Sequence, residues 1–163
     1  MITLAHGDYS FNYRIVGVAL HDGHVLLHHG ESEDFWTLPG GRAELGELAE
    51  ETLRREMREE LGVEVEVERL LWVVENFFTY LGRSWHELAF YFAMTLPHDS
   101  PLYRRDEPFF GQEEFPAPTS GMTLIFQWHP VEGLDSVNLL PSFLRTGLMS
   151  PPKHTVHIVH TDA

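Results

Sequence analysis

The chain reads as a single α/β domain, an α/β/α sandwich on a mixed β-sheet. Three observations carry that reading. Strand-like runs alternate with two helical stretches, and a hairpin comes first. The length, 163 residues, is that of one domain. The apolar share, 43%, is enough for a buried core.

The elements follow in order. Residues 13–20 and 24–29 are β-rich, and Asp22-Gly23 between them is a hairpin signal. A loop over 30–41 carries the pair Phe35-Trp36 and ends in Pro39-Gly40-Gly41, where two glycines let backbone approach a ligand closely. Residues 48–61 hold good helix formers and no proline, and Gly62 stands just past the end as a stop. Strands are expected over 65–76 and 85–96. Residues 97–121 are rich in Pro, Gly and acid without periodicity, the profile of a long loop and a candidate lid. A strand over 123–129 and an amphipathic helix over 139–148, with Pro141 near its first turn, complete the domain at 149. The tail, 150–163, holds a strand-like run over 155–159 that can pair with an edge of its own sheet or with a partner chain.

The first helix carries the chemistry. Leu53, Met57 and Leu61 recur every four residues and form a stripe for a core. Glu56, Glu59 and Glu60 stand at i, i+3 and i+4 and share the adjoining face. Like charges so spaced repel, and a hard divalent cation neutralises them, since Mg²⁺ takes carboxylate oxygens and retained waters. Arg55 lies four residues before Glu59 and can orient a carboxylate as a bidentate donor. As exposed helix side chains, these glutamates should be replaceable without loss of the fold.

Residues 41–63 also fit the spacing G-x5-E-x7-R-E-U-x-E-E-x-G-U, with U bulky and apolar. Gly41, Glu47, Arg55, Glu56, Glu59, Glu60 and Gly62 fill the fixed places, and Met57 and Val63 the apolar ones. By average residue usage, such a match arises by chance in on the order of one window in 10^8 or rarer. The segment resembles the signature of the Nudix hydrolases, strongly over residues 14–63 and more loosely elsewhere. The resemblance implies a Nudix-type sandwich and hydrolysis of a nucleoside diphosphate linked to another moiety. It implies Mg²⁺ (or Mn²⁺) held by Glu56, Glu59 and Glu60 with the Gly41 backbone. It also implies that Glu47 supports the metal site or orients Arg55. Glu59 is a candidate general base inside the signature, and Glu87, Glu113 and Glu114 are candidates outside it.

For the substrate, Gly40 can offer backbone contacts, and Arg14 and Arg83 can bind phosphate. Phe35, Trp36, Phe78 and Tyr80 can stack on a base. Members of the family acting on ADP-ribose typically carry Pro about sixteen residues past the signature, where this chain has Phe78-Thr79; that argues against them. Tyr80, seventeen past Val63, is a weak pointer to dinucleoside polyphosphates. Nucleoside triphosphates and nucleotide sugars stay open.

Composition excludes other classes. The formal charge of −14 repels a nucleic-acid backbone. No cysteine is present, so there is no disulfide framework and no thiolate chemistry. The first residues lack a signal-peptide pattern and no apolar run reaches membrane-spanning length, so a soluble cytoplasmic protein without a membrane partner is expected. The eleven histidines show no zinc spacing. A homodimer is left open. Two other readings are a nucleotide sensor of the same fold without turnover, which would tend to lose carboxylates kept here, and an acidic cation-binding module, which would need no Gly-Gly loop.

Overall fold

The computed structural model describes residues 1–103, 107–113 and 122–162. Among the described residues, ten strands form two sheets. The larger is built from β1 (Thr3–His6), β2 (Tyr9–Val18), β5 (Gly40–Arg42), β6 (Glu66–Tyr80), β7 (Arg83–Thr95) and β10 (Val156–Thr161). Its order is β1-β2-β7-β6-β10, with β5 also on β2. β1 pairs with the first half of β2, and β5 with Arg14, Ile15 and Val16. β2–β7 and β6–β10 are parallel while β6–β7 is antiparallel, so the sheet is mixed as expected. The smaller sheet runs β3 (Leu20–His21), β4 (His24–Gly30), β9 (Met122–Pro130), β8 (Phe109–Glu113).

The expected hairpin exists, but it is short. Asp22 and Gly23 both adopt positive φ (47° and 73°) and join β3 to β4 alone. β2 belongs to the other sheet, and the chain changes sheets at Ala19. Side-chain alternation along β2 explains the two cores. Ile15 faces the core that includes Leu53 and Met57 of the helix; Val16 and Val18 face a second core around Trp72, Tyr91 and Leu139.

Helix α1 (Ala49–Leu61) lies on the first core, with Leu53 and Met57 fully buried. The Leu48 N–H donates to Glu51, and Gly62 closes the helix at φ 66° with its N–H on the Arg58 carbonyl.

Two expectations fail. The segment 97–121 is not loop throughout: β8 crosses it, and Phe109 is buried against Phe126. The Tyr103 hydroxyl donates to the Leu96 carbonyl, and Trp128 Nε1 to the Leu102 carbonyl. A short five-residue strand with a glycine gave too little alternation to be seen. Second, 139–148 is not one helix. A 3₁₀ turn (Val131–Ser136) precedes the stretch, and only a four-residue helix, α2 (Leu144–Gly147), lies within it. The backbone between them pairs elsewhere: Trp36 N–H donates to the Asn138 carbonyl and Leu140 N–H to the Trp36 carbonyl. The tail strand β10 joins the large sheet beside β6. No helix among the described residues is long and apolar enough to cross a membrane.

Candidate active site

The glycine pair fixes the site. A Cβ on Gly40 would lie 2.1 Å from the Ile15 carbonyl oxygen, so β5 can seat on β2 only with glycine there. A Cβ on Gly41 would lie 2.1 Å from the carboxyl carbon of Glu56. The backbone of β5 and the acidic face of α1 are therefore in direct apposition.

Arg55 organises that face. Its Nε and Nη2 donate to the two oxygens of Glu47 at 2.7 and 3.0 Å, a bidentate pair. Its Nη1 donates to Glu56 at 2.7 Å and to Glu59 at 3.2 Å, and Nη2 also reaches the Arg42 carbonyl at 3.1 Å. The Arg55 hydrogen bond holds the Glu47 carboxyl down at about 2, helped by the Thr52 hydroxyl. Glu56 moves the other way: burial raises it, Arg55 opposes that, and Glu59 adds repulsion. Glu59 is the more open of the pair. Glu60 is not an exposed side chain as expected but 6% exposed, because Gly111 of β8 packs on the helix end at its carbonyl. Among the described residues, no three His, Asp or Glu side chains converge as a ready-made metal cluster; Glu47, Glu56 and Glu59 turn toward Arg55 instead.

Beside this face, between the two sheets, lies a cavity of about 440 Å³. Arg14 and Gly40 stand where the cavity meets the acidic face: both line it, and the Arg14 charge also bears on Glu56. A polar row crosses the large sheet beneath it. Asn12, Glu87, Asn76 and His160 are register neighbours on β2, β7, β6 and β10. With its amide turned to suit its neighbours, Asn12 donates to Glu87 Oε2 at 3.1 Å and accepts from Arg42 Nε at 3.1 Å.

The residues expected to meet substrate divide. Arg14, Gly40, Phe35, Phe78, Tyr80 and Glu87 all line the cavity. The Phe35 and Tyr80 rings meet edge to face at 6.2 Å, and the Tyr80 hydroxyl donates to Glu33 at 3.4 Å. Trp36 does not line it: its ring is held edge to face by His29 and His129, at 4.3 and 4.4 Å, as part of the second core. Arg83 does not either. Its guanidinium donates to Ser10 Oγ and to the Gly7 and Tyr9 carbonyls, tying down the turn between β1 and β2. Glu113 ends β8, paired with Met122, and Glu114 lies outside the described residues. No described residue of 97–121 lines the cavity.

His28, Asn76 and Asp162, not among the candidate site residues expected from the sequence, also stand in the cavity wall. Burial, with the Arg14 charge, lowers the His28 imidazole to about 3, so it stays neutral. Asp162 accepts from the Ser142 N–H and hydroxyl and faces His160 at 3.0 Å. The available signal was a polar residue breaking an apolar strand, as Asn76 does between Val74 and Phe78.

Known proteins bear on this arrangement. The NUDIX domain model matches residues 12–141, and the chain belongs to that family. A MutT-like protein of Streptomyces ambofaciens is 40% identical over 63 residues, covering 38% of this chain and 41% of that protein. YjhB of Bacillus subtilis (strain 168) is 33% identical over 60 residues, covering 37% of this chain and 29% of that protein. The matches thus span well under half of these curated relatives. Among solved structures, a UDP-X diphosphatase aligns with a TM-score of 0.57 at 22% identity, over 90% of this chain and 66% of that one. An ADP-ribose pyrophosphatase from Streptococcus suis 89-1591 aligns with a TM-score of 0.53 at 16% identity, over 91% and 98%. At these identities the structures speak for the fold alone.

Proposed function

We propose that the chain is a divalent-cation-dependent pyrophosphohydrolase of nucleoside diphosphate derivatives. Dinucleoside polyphosphates, nucleoside triphosphates and nucleotide sugars are the candidate substrates. One observation carries this: the Arg55-gathered carboxylates lie against the Gly40-Gly41 strand at the edge of an aromatic-lined cavity. Family membership supports it.

The donor set suits a hard cation in chemical type: carboxylate oxygens, with backbone at Gly41 kept open by the lack of a Cβ. Glu56, Glu59 and Glu60 with Gly41 would hold Mg²⁺ or Mn²⁺. Such an ion supplies neutralisation of phosphate oxygens and an acidified water. The chain does the rest. Arg14 binds phosphate where the cavity meets the acidic face. Arg55 keeps Glu47 ionised and orients Glu56 and Glu59. Glu59, more exposed than Glu56, is the first candidate to take a proton from attacking water; Glu87 is the second. Phe35, Phe78 and Tyr80 hold the nucleoside.

The test is release of phosphate or nucleotide from a panel of nucleotide derivatives, with Mg²⁺, with Mn²⁺ and with chelator. Hydrolysis should need the metal. Glu56→Gln and Glu59→Gln should each lower kcat on the order of 10²-fold or more with the circular dichroism spectrum unchanged. Full turnover in both variants at saturating metal would sink the reading. The ADP-ribose pyrophosphatase and UDP-X diphosphatase among the fold neighbours make ADP-ribose and UDP-sugars necessary members of the panel.

A further inference from the structure

Two polar atoms in the cavity wall lack a partner among the described residues. His28 Nδ1 and Asn76 Oδ1 are buried and receive no hydrogen bond. The residues themselves are 6% and 4% exposed, and both line the cavity. The ring is neutral and the Leu38 carbonyl acts on it as an acceptor; with Nδ1 itself bare, the tautomer that serves Leu38 carries its proton on Nε2 and leaves Nδ1 an acceptor. Both atoms therefore call for a donor, and buried acceptors left unmade are costly.

The rest of the wall has the same polarity. Asp162 and Glu87 are carboxylates, and Glu33 stands near the aromatic pair. Asp162 follows β10 directly, beyond the stretch matched by the family model. It is two residues past His160, which pairs with Asn76, and so shares Asn76's face of the sheet. Arg14, the cavity's guanidinium, sits at the end next to Glu56. Phosphate belongs at that end. The acceptor-rich end suits an uncharged flat group bearing N–H donors, stacked on Phe35, Phe78 or Tyr80.

We propose that this wall selects an amino-substituted nucleobase (adenine, guanine or cytosine) over one whose edge presents a carbonyl in place of the amine, and that Asn76, His28 and Asp162 read the difference. In hypoxanthine, xanthine or uracil a carbonyl stands where the amine would be, so one acceptor in the wall loses its donor and meets repulsion, and only the ring N–H is left to serve the others. The proposal rests on the nucleotide-hydrolase reading.

The experiment compares matched pairs on the wild-type chain with metal: ATP against ITP, GTP against XTP, CTP against UTP. Expected is about 10-fold or more in kcat/KM for the amino member of each pair. Asn76→Leu and, independently, Asp162→Asn should bring the ratio toward one. In Asp162→Asn the new amide can donate to the carbonyl, so the slower member should gain. Equal kcat/KM within all three wild-type pairs overturns the proposal, whatever the variants do. ATP against dATP separates the base from the sugar: equal rates are expected, and a large loss on the deoxy member without base discrimination would assign the acceptors to ribose and overturn it too. Calorimetric binding of AMP against IMP is read alongside. If no nucleotide is hydrolysed, the hydrolase reading falls, and tighter AMP than IMP binding still upholds base selection while equal binding defeats it.

Discussion

Arg55 decides how three glutamates coexist. Without it, Glu47, Glu56 and Glu59 would repel across one short surface; with it, Glu47 ionises more easily than usual while buried Glu56 resists ionisation. The spacing of these residues was legible because a helix turns a pattern of i, i+3 and i+4 into a face by geometry alone. The burial of Glu60 was not, since it depends on β8, a strand distant in sequence. Nor was His28, whose role is set by a cavity walled largely by residues distant in sequence. The two shifted groups act in different pH windows. His28 is held below its unfolded value, so the unfolded chain binds the proton first. Its contribution is complete above about pH 6.5 and is lost as pH falls toward about 3. Glu47 is likewise depressed, and its contribution is complete above about pH 4.3 and lost as pH falls through about 2. Melting temperature measured from pH 8 to 2 should therefore fall in two stages. His28→Gln should flatten the upper stage, though not abolish it, because burial lowers His129 as well. Glu47→Gln should flatten the lower. An upper stage unchanged in His28→Gln would refute the assignment.

At the scale of elements, β5 shows how three residues can divide stability from chemistry. Gly40 faces backbone and Gly41 faces the end of a side chain. Gly40→Ala forces apart β5 and β2 and should cost about 1–3 kcal/mol of stability, read from denaturant unfolding. Gly41→Ala needs only Glu56 to move, so it should unfold nearly as the wild type while losing most of its turnover. Equal effects of the two on stability would contradict the division. The Arg83 assignment is tested the same way. Arg83→Ala should lower stability by about 1–2 kcal/mol through its lost bonds to the β1–β2 turn and leave KM for nucleotides unchanged. Long strands and the first helix were legible from period and capping residues. The short strand β8 was not, and the second helix was overread. Its apolar period is real, but the backbone there bonds to Trp36, a partner local propensity does not register.

On the whole-molecule scale, the sequence's strands and single strong helix indicated a mixed α/β fold, which holds. Their distribution over two sheets was invisible, because the switch at Ala19 falls inside what reads as one hairpin. The charge of −14 is concentrated by the same logic. Ten of the 25 acids lie between Glu44 and Glu68, on and around α1, so anionic ligands are expected to approach with their cation bound, and affinity for the ligand should rise with Mg²⁺.

The cavity between the sheets has a mechanical consequence. Its wall includes Arg14, Asn76 and Glu87 of the large sheet and His28, His29 and Leu124 of the small one. A ligand that touches both behaves as a rivet, joining two plates that otherwise share only packing and chain crossings. Binding free energy then enters both sheets' opening reactions at once. Amide exchange should slow together in β4 and β6 when a non-hydrolysable nucleotide and Mg²⁺ are added, by a factor that grows with ligand concentration. Protection confined to one sheet would mean the ligand is held by a single plate.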